Sequence, residues 1–172
     1  MLDEAGKVYQ RTLQGYEKEL GSGHTSTLDT VNNLGNLYVD QGRLDEAKKM
    51  YQHVLQEREK APRPEHISTF DTANSLGNLY VDQGQLDEAE RIYLRALQVY
   101  EKALGREQVN TYIPALNTTE NFTVLYKQMG RVNEAEDLYS RALYGLEAVL
   151  GRPSKRCQDI ITALAVLHGD RG

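Results

Sequence analysis

The feature that most constrains the fold is a repeat with a period of 42 residues. The segment Leu-Asp-Glu-Ala starts at Leu2 and recurs at Leu44 and Leu86, and a related segment, Val-Asn-Glu-Ala, starts at Val132. The intervals between these starts are 42, 42 and 46 residues. In such arrays each unit is one supersecondary piece that covers its apolar face by stacking on its neighbours. We therefore expect a linear array rather than a single central core.

A second block shows that each unit has two parts. The sequence Asn-Leu-Gly-Asn-Leu-Tyr at 33–38 returns in modified form at 75–80 and, more loosely, at 121–126 and 163–168. In both parts the apolar residues lie three and four positions apart, which is the spacing of one helix face. We call the part with this block helix A and the part with the Leu-Asp-Glu-Ala block helix B. The order B-A-B-A-B-A-B-A predicts an all-α protein of about eight helices, with no strand candidate.

The repeat also sets the expected boundaries within one array of 172 residues. Glycines at 42, 84 and 130 follow the A helices, where a left-handed residue commonly ends a helix. Because the chain opens with a helix B and closes with a helix A, we expect it to be a piece of a longer array. The predicted segments are helix B at 2–20, repeats at 27–60, 69–104 and 112–150, and a final helix A at 158–168.

Two A helices are preceded by a possible capping box. Ser26 is followed by Asp29 and Ser68 by Asp71, which is the spacing in which a side chain caps the first turn of a helix. These residues predict the starts of the first two complete A helices. They also leave two readings for Asp29 and Asp71, either as capping residues or as part of a binding surface.

The repeated residues resemble the tetratricopeptide repeat. The resemblance rests on the Leu-Gly pair, a tyrosine four residues after that leucine, an alanine nine residues later and a further tyrosine four residues beyond. The 42-residue period looks like the long-helix variant of this repeat in kinesin light chains, and so do the runs Asn-Asn-Leu-Gly-Asn-Leu-Tyr at 32–38 and Tyr-Glu-Lys-Ala-Leu-Gly at 100–105. The same features also resemble the repeat arrays of fungal receptor-like nucleotide-binding ATPases. The resemblance implies a right-handed superhelix of antiparallel helix pairs, whose concave groove of A helices holds an extended peptide.

A row of asparagines is the main candidate for that groove. Asn32 and Asn36 lie four residues apart on one face of the first A helix, and Asn74 and Asn78 repeat them. An amide has both a donor and an acceptor, so it can pair with the main chain of a peptide. By position these asparagines resemble the groove asparagines of kinesin light chains. The alternative is that they are solvated or bonded to neighbouring helices.

Aspartates extend the candidate groove. Asp40 and Asp82 follow one turn after the second asparagine of each pair and should line the same wall. An acidic groove would attract a neutral or basic partner segment. The equivalent helix-A positions hold no lysine or arginine that could clamp a partner's terminal carboxylate.

The third unit departs from this pattern. Its helix A has Glu120 and Val124 at the asparagine positions and adds Lys127, so we include Glu120 and Lys127 in the candidate groove with changed chemistry. A four-residue insertion containing Pro114 precedes this helix, around 112–115. Proline is tolerated in a first turn, so the insertion either lengthens the helix or extends a loop.

The composition argues against other classes of function. The net charge is −5, so we expect no nucleic-acid partner, and no stretch approaches the apolar length of a membrane span. Cys157 is the only cysteine, and the histidines do not cluster, so we expect no metal, no cofactor and no catalysis. These observations favour a cytoplasmic scaffold that binds a protein or peptide.

A second function remains open, in which the array is mainly structural. The apolar stripes of the first and last helices each lack one partner helix, and they are complementary by construction. Head-to-tail association would join them, within an oligomer or a larger receptor-like ATPase. The stripes are Leu2, Ala5, Tyr9, Leu13 and Tyr16 at one end, and Leu164, Leu167 and His168 at the other.

Overall fold

The computed structural model describes residues 2–60 and 68–169, and in these residues the chain forms eight α-helices and no strand. The B helices are α1, α3, α5 and α7, and the A helices are α2, α4, α6 and α8. The prediction of an all-α fold is therefore confirmed. The helices are α1 (Leu2–Leu20), α2 (Thr25–Asp40), α3 (Leu44–Lys60), α4 (Ser68–Asp82), α5 (Leu86–Val109), α6 (Ile113–Gln128), α7 (Val132–Leu150) and α8 (Lys155–Gly169).

The helices belong to two compact units, residues 1–79 and 80–172. In the first unit α2 packs against both α1 and α3. In the second unit α6 packs against α5 and α7, and α7 also packs against α8. The helix pairs named here are consecutive in sequence, as expected for stacked helical hairpins.

Repeated small and aromatic residues form the core of each unit. Ala47, Ala89 and Ala135 have no exposed surface, so the helices can approach closely at these points. The repeated tyrosines of both helix types are also buried, apart from Tyr9, which is half-buried. The buried tyrosines are Tyr38, Tyr80 and Tyr126 in A helices and Tyr51, Tyr93 and Tyr139 in B helices.

The Leu-Gly pair has a packing role in the first unit. A Cβ atom added at Gly35 would lie 2.7 Å from Cε1 of Tyr51. The absence of a side chain at Gly35 therefore lets the ring of Tyr51 lie directly on the backbone of α2. This contact explains why glycine follows the leucine in this repeat.

Glycines end the A helices as predicted. Gly42, Gly84 and Gly130 have φ values of 72°, 70° and 71°. After the first of them, the N–H of Arg43 donates to the carbonyl oxygen of Tyr38 at 2.8 Å. A left-handed glycine followed by this backward bond is the Schellman type of helix end.

The capping box predicted for α2 is wrong. The helix begins at Thr25, and its N-cap is His24, whose side chain accepts a hydrogen bond from the N–H of Ser26. Asp29 instead forms an ion pair with Arg58 at 2.6 Å. The histidine ring supplies an acceptor that the rule for short polar N-caps does not include. At the start of α4, the side chain of Ser68 lies outside the described residues.

The insertion in the third unit does not lengthen its A helix. The helix α6 has 16 residues, as α2 has, and Pro114 lies in its first turn. The extra residues follow Gly105, where α5 is kinked at a φ of 80° before it continues to Val109. Neither predicted alternative for 112–115 is therefore correct, because the length is taken up by the end of α5.

No described helix is both long enough and apolar enough to cross a lipid bilayer.

Candidate functional site

The four predicted asparagines lie on the A helices of the first unit. Asn36 on α2 and Asn78 on α4 are exposed, whereas Asn32 and Asn74 are half-buried. We call this set of four side chains the amide row.

Two members of the amide row accept hydrogen bonds from neighbouring helices. The hydroxyl group of Tyr51 on α3 donates to Oδ1 of Asn36 at 2.6 Å. The hydroxyl group of Thr72 on α4 donates to Oδ1 of Asn32 at 2.8 Å. The side-chain oxygens of these two asparagines therefore link α2 to α3 and α4 through hydrogen bonds.

These two bonds do not use the Nδ2 groups of Asn32 and Asn36, which are the donors that peptide binding needs. An asparagine Nδ2 group can donate two hydrogen bonds, for example to the carbonyl oxygens of a peptide. Asn74 and Asn78 also have interactions within the chain. Docking on the amide row remains a prediction, and it now depends on the Nδ2 donors.

Asp40 and Asp82 are the last residues of α2 and α4, and both are exposed. Burial raises the pKa of Tyr51 to about 12, and the negative charge of Asp40 adds to this effect. Burial and Asp82 likewise raise the pKa of Tyr93. Each carboxylate thus lies close to the repeated tyrosine of the next B helix.

A buried cation lies at the other end of the A helices in the first unit. The side chain of Arg58 is 5% exposed and pairs with Asp29 at 2.6 Å. Burial lowers the pKa of Arg58, and it raises the pKa of Asp71, while Arg58 partly offsets the rise at Asp71. Among the described residues, Nη1 of Arg58 is buried without a hydrogen-bond partner. Asp29 is therefore the ion-pair partner of this buried cation, and the charge of Asp71 lies near it.

The second unit contains an open pocket of about 240 Å³ between its two A helices, α6 and α8. We call it the α6–α8 pocket. Its apolar lining consists of Val124 from α6, Tyr139 from α7, and Ile160 and Ala163 from α8. Of these residues, Tyr139 and Ile160 are buried, whereas Val124 is 45% exposed.

The polar lining of the α6–α8 pocket includes Glu120, Arg156 and Asp159. Nε of Arg156 donates to Oε1 of Glu120 at 2.9 Å, and its Nη2 donates to Oδ1 of Asn117. Within the described part of the chain, Asp159 forms no ion pair. The three charged side chains therefore leave one uncompensated negative charge beside an apolar surface.

Of the two predicted residues in the third unit, one lines this pocket. Glu120 does so, whereas Lys127 is exposed in the last turn of α6 and is not among the lining residues. The residues contributed by α7 and α8 were not predicted. The repeat spacing could have indicated them, because side chains of adjacent A helices form hydrogen bonds at a nearly constant separation in sequence. Asn32 and Thr72 are 40 positions apart, and Glu120 and Arg156 are 36 positions apart.

In the described residues, no three histidine, cysteine, aspartate or glutamate side chains come together as metal ligands do. Cys157 is buried in α8.

Comparison with known proteins agrees with the helical-repeat fold. The model of the tetratricopeptide repeat family matches residues 1–60, 26–102 and 68–148. The comparison with curated proteins returned no match.

Solved structures provide similar folds. BtubC (BKLC) of P. vanneervenii is 19% identical, with a TM-score of 0.80 over 99% of this chain and 67% of that chain. A Podosopora anserina protein, described as a kinesin light chain with nearly identical TPR-like repeats, is 23% identical over 99% of this chain and 79% of that chain. Its structure has a TM-score of 0.80, and that of a single-residue variant has 0.81. The family match, which spans most of the sequence, shows that this chain belongs to the tetratricopeptide repeat family.

Proposed function

We propose that this chain is a non-catalytic scaffold that binds an extended peptide segment of a partner protein along its A helices. The tetratricopeptide fold itself suggests a protein-interaction scaffold. The observation that carries the peptide proposal is the α6–α8 pocket, which opens between two A helices and includes Glu120. A partly apolar cleft with a few polar groups is the usual form of a binding site.

The amide row gives the first unit a way to hold the main chain of the same class of ligand. The exposed side chains of Asn36 and Asn78 lie on successive A helices. The Nδ2 group of Asn36 would donate to a peptide carbonyl oxygen, and the carboxylate of Asp40 would favour a neutral or basic segment. A ligand held in this way is recognised mainly by its backbone.

The replacement Asn36→Asp separates the two roles of this side chain. Aspartate keeps an oxygen that can accept the hydrogen bond from Tyr51, but it lacks the Nδ2 donor. We expect the thermal unfolding midpoint to stay within about 2 °C, and affinity for a neutral peptide selected from a random library to fall about tenfold, which equals about 1.4 kcal/mol.

The control is Asn33→Asp, which adds the same charge at an exposed neighbouring position of α2. Titration of both variants with the peptide at high salt limits the effect of the added charge. Equal affinities for the two variants would show that Asn36 serves only to join helices.

A second candidate function is self-association, and the exposed apolar residues of α1 favour it. Val8, Tyr16 and Leu20 are 62%, 37% and 46% exposed. At the other end of the chain, Leu164 is half-buried and Leu167 is buried, so less of the predicted stripe is exposed on α8. The residues Leu2 and His168 in these stripes have side chains outside the described part.

Light scattering distinguishes the second candidate. If α1 docks on a second copy, the mean mass should rise with concentration, and Val8→Lys should return it to the mass of the monomer. The exposed Val124→Lys on α6 is the control that should leave the rise unchanged. A monomer mass at every concentration would rule out self-association.

A further inference from the structure

We propose that the α6–α8 pocket selects a partner segment in which a large apolar side chain lies next to a lysine or arginine. This inference rests on the proposed function, because it specifies the sequence of the peptide that the scaffold would bind. It differs from that function in a testable respect, since binding along the amide row alone would be nearly independent of sequence.

The size of the pocket fits one side chain rather than a whole small molecule. Its volume is about 240 Å³. Binding sites for drug-sized ligands range from about 300 to 1,000 Å³, whereas a cavity of about 150 Å³ can hold a benzene molecule. A leucine, methionine or phenylalanine side chain therefore suits this space.

The apolar lining is what distinguishes the second unit from the first. Val124 occupies the position of Asn36 and Asn78 in the repeat, and Val166 occupies it in the last helix. Both valines are partly exposed, at 45% and 53%. The A helices of the second unit thus present apolar side chains where those of the first unit present amides. Of these two valines, only Val124 lines the α6–α8 pocket. An apolar ligand group in the pocket would cover Val124 and gain about 25 cal/mol for each Å² removed from water.

The charges beside the pocket determine the neighbouring ligand residue. Arg156 is held by Glu120 at 2.9 Å and also by Asn117, so its charge is largely satisfied within the chain. Asp159 lines the same pocket and is exposed, and it forms no ion pair with a described residue. A lysine or arginine next to the apolar residue would complete this charge balance, whereas an acidic residue would be repelled.

A test starts from selection of a random-peptide library on the full chain. We expect enrichment of peptides with an apolar residue adjacent to lysine or arginine. For such a peptide, Val124→Asn, which installs the residue of the other repeats, should weaken binding about tenfold. Asp159→Asn should weaken it about threefold, and this loss should shrink as salt is added.

The matched controls are Val166→Asn, at the same repeat position but outside the lining residues, and Asp137→Asn, an exposed aspartate of α7. Both should bind as the parent chain does. Circular dichroism melting of all four variants checks that the fold is retained, which the exposure of the substituted residues favours.

Failure of this inference is distinguishable from failure of the proposed function. Enriched peptides without the apolar–basic pair, or equal binding by Val124→Asn and the parent chain, would overturn the pocket assignment. If those peptides still lose affinity with Asn36→Asp, the scaffold function stands. A selection that enriches no peptide would overturn both.

Discussion

Replacing Gly145 with alanine should be among the most destabilising single-methyl additions in this chain. Its Cβ would lie 1.8 Å from the carbonyl oxygen of Asn110 and 2.8 Å from Cδ2 of Leu116. The first clash is with backbone, so the chain near Asn110 would have to move. We expect the free energy of unfolding to fall by at least about 2 kcal/mol, even though alanine is the better helix former. Urea unfolding followed by circular dichroism measures this change.

Gly15 provides the control because it holds the same repeat position in α1, ten residues after the repeated alanine. An added Cβ at Gly15 has no atom within 4 Å. We expect Gly15→Ala to stabilise the chain by up to about 1 kcal/mol, through helix propensity alone. Equal effects of the two substitutions would contradict the close approach of the Asn110 backbone to α7.

Replacing Asp29 with alanine should also lower the stability markedly. Arg58 is 5% exposed and would lose the carboxylate that lies 2.6 Å from its Nη2. An unpaired buried cation costs several kcal/mol, but Asp29 is itself 51% exposed and Asp71 is nearby. We therefore expect a loss of about 2 kcal/mol, measured by urea unfolding. Adding Arg58→Met to this variant should recover most of the loss, because no buried charge then remains.

The control for Asp29→Ala is Glu57→Ala. Glu57 pairs with Lys60 at the same distance of 2.6 Å, but the lysine is 69% exposed. Water can replace the lost partner there, so we expect a change below about 0.5 kcal/mol. A comparable loss in both variants would show that the burial of Arg58 is unimportant.

Asp71 should behave in the opposite way to Asp29. Partial burial raises its pKa above the ordinary value of 3.8, against the opposing effect of Arg58, so Asp71 takes up a proton more readily in the folded chain than in the unfolded chain. The stability that this group contributes is present below pH 3.8 and is lost as the pH rises through its folded pKa. Asp71→Asn should therefore remove this pH dependence, and melting curves across this pH range would show it.

The repeat made most of the fold predictable from sequence. The periodic leucines, alanines and tyrosines identified the helix pairs, because the same packing problem recurs in every unit. The errors lie where the chain departs from local rules. His24 caps α2 in place of a short polar residue, and the extra residues of the third unit follow the kink at Gly105.

The candidate site was less predictable. The positions of the amide row followed from helix periodicity, but the bonds from Tyr51 and Thr72 depend on how neighbouring helices pack. The α6–α8 pocket combines side chains from three helices, and only Glu120 among them was identified as a candidate site residue. A single sequence shows which faces residues share, but not how deep the space between two helices is.

Chemical-shift mapping of a library-selected peptide tests the central claim most directly. In a ¹⁵N-labelled chain, the side-chain amide signals of Asn36 and Asn78 and the backbone signals of α6 and α8 near the pocket should shift on titration. Signals on the exposed faces of α3 and α7 should stay unchanged. Shifts confined to the B helices would contradict the proposal that the A helices bind the partner segment.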